Sequence, residues 1–515
     1  MYSHTNYIYN GRGMFWQIVK YIFIVISIIL FYETIRLFIK ENIIRRLTRS
    51  VRILVKQHNT KLDKYKFMNK FIVKQELMND DDIHNAILVH AREHDMDILD
   101  VDDLVEEYIE EIVPFFNLLS YYKIGYAISN MFLNALYEVV IDDENAEKMK
   151  KIPREAAVVF VMNHRSNVDY ILVAFMLARN ISISYAVGEW ARVWPLEYIF
   201  KSFGAYFLRR QYREKLYHLV LEKYIQMISR HGVTQGIFIE GGLTRDGKFR
   251  DTKIGLLDYI LKIKDDREFK NEIVFIPVGI NYDWVMEDRV LIKEWKEHKE
   301  KTGFRDNIAS LLRLSVKGPF MLVYNFIRLV TGKLKQHGYA SVSFGDPVPV
   351  SEFLKRHKKF FQVDRHERLA LIKEFADDLL NQIGSVVPVT PVCLTAKAIM
   401  MIDAPSFEQG ALIDKIMEVC KVLKKKKLRI VIGKAFASYK QTYNHLQDEK
   451  NERKKDLVSF EEDFLNVDEA QNICMIALDI FKRRKMLRVR KNIVYLNPKY
   501  LAYLEYYSNL LNYDS

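Results

Sequence analysis

Between residues 150 and 350 the chain alternates short, charge-poor apolar runs with longer stretches in which apolar residues recur at helical spacing. The runs predict strands over 156–162, 182–187, 204–208, 236–240, 273–280 and 340–345, and the periodic stretches predict helices over 167–178, 190–202, 212–230 and 252–264. Such alternation is the pattern of an α/β layer with largely parallel strands. The first run, Ala156–Met162, is rich in valine and free of charge, as suits a strand buried on both faces.

Upstream, residues 76–111 are acidic, yet Ile87, Leu88, Leu104, Val105, Tyr108 and Ile112 still recur at helical spacing. Pro114 breaks the pattern, and Phe115–Ile141 continues as an apolar helix in this reading. Downstream, helices are expected over Leu369–Ile383, Leu394–Met401, Leu412–Leu423 and Ala470–Arg484; a short hairpin at Leu487–Leu496 belongs to the alternative reading of a winged-helix module. Ser459–Val467 fits no element clearly.

The N-terminus holds an uncharged dozen, Tyr21–Tyr32, inside a longer apolar stretch, Phe15–Ile39, interrupted by Lys20, Glu33 and Arg36. A dozen residues are too few for a hydrocarbon core about 30 Å thick; the longer stretch spans it only if those charges snorkel or pair. The basic run Arg45, Arg46, Arg49, Arg52 and Lys56 follows, of the kind that favours an anionic cytoplasmic leaflet. The expected organisation is a membrane anchor, spanning or in-plane, with its basic segment (1–66), a helical subdomain (67–149), an α/β domain of mostly parallel sheet with flanking helices (150–350) and a mainly helical C-terminal region (351–515). Localisation at the cytoplasmic face of the cell membrane follows from that anchor.

A formal charge of +12 points to anionic partners: acidic lipid, phosphorylated substrates or nucleic acid. The second basic cluster, Lys482-Arg-Arg-Lys485 with Arg488, Arg490 and Lys491, sits with a helix and hairpin, as in a winged-helix module, but no aromatic-basic recognition motif accompanies it, so nucleic acid is not the expected partner. The three cysteines, Cys393, Cys420 and Cys474, are far apart, and the thirteen histidines are dispersed with no HExxH or Cys/His pairing, so neither metal nor cofactor is expected.

Chemistry concentrates where the first strand ends, at Asn163-His-Arg-Ser-Asn-Val-Asp169. In open α/β sheets ligands bind at that end of the strands. Five residues along a helix turn about 500°, so His164 and Asp169 meet only if His164 precedes the helix and the chain folds back. Ser166-Asn-Val-Asp169 fits a capping box, which leaves two readings: Asp169 closes the box and His164 is a solvated loop residue, or Asp169 fixes the His164 tautomer and leaves its other nitrogen free as a general base.

Three further segments follow: Gly204-Ala-Tyr-Phe-Leu-Arg-Arg210; Gly236-Ile-Phe-Ile-Glu-Gly-Gly242 with Leu243-Thr-Arg-Asp-Gly-Lys-Phe-Arg250; and Ile273-Val-Phe-Ile-Pro-Val-Gly-Ile-Asn-Tyr282. In order and separation these four segments resemble the sequence blocks of the glycerolipid acyltransferases, closest to the bacterial glycerol-3-phosphate acyltransferases. Weaker similarity reaches from about Ala91 to the chain end. The resemblance implies transfer of a fatty acyl group from acyl-coenzyme A or acyl carrier protein to the sn-1 hydroxyl of glycerol 3-phosphate, with lysophosphatidate or dihydroxyacetone phosphate as alternative acceptors. A non-catalytic membrane protein of the same fold is the rival of another class.

It also implies that His164 is the base and Asp169 its orienting partner. No serine or cysteine in the blocks has the context of a nucleophile, so direct transfer is expected, with amides near Ser166–Val168 as candidate oxyanion donors. Arg209, Arg210, Arg245, Lys248 and Arg250 are candidate phosphate ligands, Gly241-Gly242 a candidate anion nest, and Thr244 and Glu240 substrate-binding candidates; Glu240 would accept a glycerol hydroxyl or brace an arginine. By resemblance Pro277 lines the acyl groove; otherwise it is a proline near a sheet edge. Many relatives have arginine and serine where this chain has Leu243 and Thr244, which removes one phosphate contact and leaves room for a different acceptor.

Overall fold

A computed structural model describes residues 70–114, 126–142, 155–177, 184–188, 204–209, 212–299, 336–426, 428–431, 457–458 and 467–511, with isolated positions between them. The expected anchor Phe15–Ile39 and its basic run lie outside the described residues, as does Arg210. Among the described residues no helix is long and apolar enough to cross a membrane.

Three amphipathic helices open the described chain: α1 (Lys70–Met78), α2 (Asp81–His94) and α3 (Ile98–Ile112). Asp80 and Asp97 cap the second and third, each accepting from amides of the first turn. Helix α4 (Tyr126–Leu136) then gives way to strand β1 (Glu138–Asp142). The helix expected to run through Ile141 thus ends early, at Leu136, and the β-branched run Val139-Val140-Ile141 is strand. The sheet begins inside the region expected to be wholly helical.

The remaining strands are β2 (Ala157–Met162), β3 (Ser184–Gly188), β4 (Tyr206–Leu208), β5 (Gln235–Phe238), β6 (Ile273–Tyr282), β7 (Tyr339–Phe344) and β8 (Val348–Pro349). They form one sheet in the order β1-β7-β6-β2-β5-β3-β4, with β8 paired to β6. All pairings are parallel except those of β7 and β8 with β6. Pro277 is therefore on a central strand rather than near an edge. Its carbonyl accepts from Gly345, just where β7 ends and before β8 begins, so the missing proline N–H falls at a gap in the ladder.

Side chains alternate across the sheet. Phe160, Met162, Val274 and Ile276 enter one core, shared with α4, with α5 (Asp169–Leu177) and with the C-terminal helices. Val159, Val161, Ile273 and Phe275 enter the other, shared with α2, α3, α6 (Lys215–Arg230) and α7 (Gly255–Lys262). The link from β6 carries α8 (Asp288–Lys299), and α9 (Val350–Arg356) follows β8. Helix α10 (Arg365–Val386) packs into the second core, whereas α11 (Pro391–Ile402), α12 (Gln409–Lys425), α13 (Val467–Arg483) and α14 (Leu501–Asn509) pack into the first. The C-terminal region thus covers both faces of the sheet.

The hairpin of the alternative reading is present as β12 (Leu487–Arg490) and β13 (Ile493–Leu496), which adds β9 (Ser406–Glu408) as a third strand. Among the described residues, and apart from the short pair β10 (Ile430–Val431) and β11 (Leu457–Val458), the order α11-β9-α12-α13-β12-β13 is that of a winged helix. The outward face of α13 carries Gln471, Met475 and Asp479, not a row of cations.

A buried ion pair ties this region to the end of β6. Arg484 is 2% exposed and bridges Asp288, 1% exposed; Tyr507 accepts from Arg484 at 2.8 Å and donates to Asp288 at 2.6 Å. The guanidinium also lies over the Trp284 ring, 4.6 Å from its centroid. Removing one partner of such a pair strands the other charge in a dry interior. Arg484→Met is expected to lower the unfolding free energy in urea by about 3–5 kcal/mol, and adding Asp288→Leu to recover much of it.

Candidate functional site

The turn after β2 is held by its own polar side chains. Asn163 continues the ladder beyond the strand: its amide donates to the Ile280 carbonyl at 2.9 Å and accepts from the Ile280 amide at 2.8 Å. The chain then folds back on Asp169, the first residue of α5. One carboxylate oxygen of Asp169 accepts from His164 Nδ1 at 2.9 Å, the Arg165 amide at 2.7 Å and the Ser166 amide at 3.0 Å; the other accepts from the Tyr282 hydroxyl at 2.7 Å.

Both sequence readings hold in part. Asp169 reaches back to the Ser166 amide, as in a capping box, but the Ser166 hydroxyl takes the Val168 amide instead of that of Asp169. His164 is not solvated: it is 2% exposed, stacked on Phe238 at 4.1 Å and edge-on to Tyr170 at 5.5 Å. With Nδ1–H donated to the carboxylate, the imidazole keeps its lone pair on Nε2. Burial and the Asp169 carboxylate both push the Tyr282 hydroxyl well above its ordinary pKa, so it stays a donor.

Glu287, unremarked in the sequence, braces the same turn. Its carboxylate accepts from the Ser166 hydroxyl at 2.7 Å and the Asn167 amide at 3.2 Å, and burial raises its pKa. The amides of Ser166, Asn167 and Val168 are thus all engaged within the protein, and the oxyanion role expected of them has no free donor there.

Glu240 neither faces a free hydroxyl nor pairs with an arginine side chain. It is fully buried, and its two oxygens accept from the His164 amide at 2.9 Å and the Arg250 amide at 2.8 Å. Burial raises its pKa, opposed chiefly by the nearby charge of Arg165. With the Thr244 amide donating to the His164 carbonyl at 3.3 Å, the first and third blocks are stitched side by side on the neighbouring strands β2 and β5.

The loop 241–250 is shaped by its own bonds. Gly241 adopts φ +64°, and an added Cβ would meet the Lys253 side chain at 2.6 Å. Gly242 is buried. The Thr244 hydroxyl donates to the Lys248 carbonyl at 2.6 Å and accepts from the Gly247 amide at 3.1 Å, so it closes the loop on itself. Arg245 is half-exposed and pairs with Glu294 at 3.1 Å. Lys248 is exposed, and the Arg250 guanidinium donates to the Leu243 carbonyl at 3.2 Å.

Arg209 lies elsewhere in use. Strand β4 is the edge strand, two places beyond β5, and the guanidinium makes a two-pronged contact with buried Glu111 of α3 while lying over Tyr212. It anchors the N-terminal helices to the sheet edge.

Arg165 is the cation that the sequence reading passed over. Its side chain is fully buried next to the candidate base; Nη1 donates to the Gly247 carbonyl at 2.8 Å and the guanidinium lies over Phe249 at 4.9 Å. Its Nε and Nη2 have no hydrogen-bond partner among the described residues. The signal was its place inside the block, but sequence alone does not distinguish an inward arginine from a solvated one.

The acyltransferase family model covers residues 143–281, and the model of the glycerol-3-phosphate acyltransferase C-terminal region covers 323–509. The chain belongs to the glycerol-3-phosphate acyltransferase family. It is 25% identical over 370 residues to glycerol-3-phosphate acyltransferase of Aeromonas hydrophila subsp. hydrophila, covering 70% of this chain and 43% of that one. To the Pseudomonas paraeruginosa enzyme it is 28% identical over 298 residues, covering 55% and 33%. The match spans less than half the length of either relative. A solved 1-acyl-sn-glycerophosphate acyltransferase of Thermotoga maritima aligns at 18% identity over 51% of this chain and 79% of that one, with TM-score 0.27.

In this member of the family Asp169→Asn would turn an acceptor oxygen into a donor facing amides. About 1–3 kcal/mol is expected for each buried group left unpaired, read as a lower urea midpoint; Tyr282→Phe, which takes the donor from one carboxylate oxygen and leaves the three bonds to the other intact, should cost less than Asp169→Asn.

Proposed function

We propose that the chain moves a fatty acyl group from a thioester, acyl-coenzyme A or acyl carrier protein, to the sn-1 hydroxyl of glycerol 3-phosphate. The observation that supports this reading most is the buried His164–Asp169 pair, with Nε2 free and the cationic loop 241–250 bonded to the same turn. As the hydroxyl oxygen attacks the thioester carbonyl carbon, His164 Nε2 takes its proton. The new C–O bond forms, the C–S bond breaks, and the imidazolium returns the proton to the departing thiolate. A base so placed supplies about 10²–10⁴-fold.

In this reading the acceptor's phosphate is held by Arg245 and Lys248, with Arg165 the buried cation behind them. Lys248 is exposed and Arg245 half-exposed, whereas the Arg250 guanidinium donates to the Leu243 carbonyl and Arg209 is committed to Glu111. Thr244 and Glu240 serve by holding the loop and the base turn in register. The basic N-terminal segment would keep the enzyme on an anionic membrane surface, where its lipid product is used.

His164→Ala and the closer-sized His164→Gln are each expected to cut acyl transfer by at least about 10²-fold with the circular dichroism spectrum unchanged. Persistent activity in both variants would remove His164 as the base. Arg245→Ala with Lys248→Ala should raise KM for glycerol 3-phosphate more than it lowers kcat. Offered glycerol 3-phosphate, dihydroxyacetone phosphate and lysophosphatidate side by side, the enzyme should prefer the first; preferred turnover of lysophosphatidate would overturn the reading.

A further inference from the structure

Far along the chain from the acyltransfer turn, the fold gathers three metal-type ligands that their positions in sequence do not suggest. His90 and His94 are four residues apart on α2, on one face of the helix. Glu214 immediately precedes α6 and makes no capping bond with its side chain. One donor atom from each of the three lies within 4.8 Å of the others. The sequence reading sought HExxH and Cys/His pairs; it missed a spacing of four on a helix whose third partner comes from another helix.

Two details favour an ion over a plain histidine–glutamate contact. First, His90 Nδ1 and Glu214 Oε1 are 3.6 Å apart, too long for a good hydrogen bond. With bonds of about 2.0–2.2 Å, two ligands on one tetrahedral zinc stand roughly 3.3–3.5 Å apart, close to that separation. Second, His94 Nδ1 is 3.1 Å from the His90 carbonyl, so Nδ1–H donates there and the lone pair is left on Nε2. A ring nitrogen tied to a backbone carbonyl is how metal-bound histidines are oriented.

We propose that His90, His94 and Glu214 form a binding site for a transition-metal dication, Zn2+ by ligand type. Two imidazoles and one carboxylate suit zinc, cobalt or nickel rather than magnesium or calcium, which take oxygen ligands. His90 is buried, Glu214 half-buried and His94 exposed, so a fourth position faces solvent and is filled by water. The ion clips α2 to the segment that joins β4 to α6. That segment includes Tyr212, whose hydroxyl meets that of Tyr108 on α3 at 2.8 Å.

The test uses the full chain, stripped of metal with a chelator and titrated with Zn2+ against a chromophoric competitor, with Mg2+ in parallel. One equivalent of Zn2+ should bind at micromolar concentration or below and raise the melting temperature, and Mg2+ should do neither. His94→Ala and Glu214→Gln, each checked to melt like the parent in chelator, should each weaken binding by about 10-fold or more and abolish the shift. No saturable Zn2+ binding, or binding unchanged in either variant, would overturn the proposal. Neither outcome bears on acyl transfer, which is measured separately.

Discussion

The Asp169 carboxylate is the point on which the rest of the site depends. It has no exposed surface, yet it collects an imidazole N–H, two backbone amides and a tyrosine hydroxyl. A buried carboxylate is tolerable only when so satisfied, because an isolated charge in a dry interior costs far more than its bonds return. In accepting those donors it also does structural work. It bends the chain from β2 into α5, and it places His164 before the helix instead of on it.

Around that point the protein builds a support from distant parts of the chain. Glu287 fixes the amide of Asn167 and the hydroxyl of Ser166, and the next residue, Asp288, is held by Arg484 and Tyr507 of the C-terminal region. Glu240 links the amides of His164 and Arg250, and Arg165 fastens the base turn to the Gly247 carbonyl. At Gly247 an added Cβ would meet the Tyr506 carbonyl at 2.1 Å, and the Asn509 amide donates to the Asp246 carbonyl at 2.9 Å. The C-terminal helix therefore rests on the loop that carries the candidate phosphate ligands, and the region expected to be a separate helical unit is part of the site's frame.

Much of this was legible in the chain. The valine-rich run became β2, because period and side-chain type act locally, and the hairpin at 487–496, raised only within the winged-helix alternative, formed as well. The pairing of His164 with Asp169 was one of two readings that the spacing left open, and the one that the family resemblance implied. Other features turned on contacts between segments far apart in sequence. Arg209 looked like a phosphate ligand until Glu111, from a helix nearly a hundred residues earlier, claimed it. Of the amides expected to be free near Ser166, two are taken locally by Asp169 and the Ser166 hydroxyl, and the third, that of Asn167, by Glu287 arriving from beyond β6. The alternative reading of Pro277, a proline near a sheet edge, missed the gap between β7 and β8, which cannot be seen from the strand itself.

The central claim is that Asp169 holds the His164 ring as its Nδ1–H tautomer and leaves Nε2 with a free lone pair. Nitrogen-15 NMR of histidine-labelled protein, with the His164 signals assigned by difference from His164→Gln, reads that state directly. The expected result for the neutral ring is a protonated Nδ1 and an unprotonated Nε2, with the preference lost in Asp169→Asn. A ring protonated on Nε2 alone, or a pattern indifferent to Asp169, would contradict it.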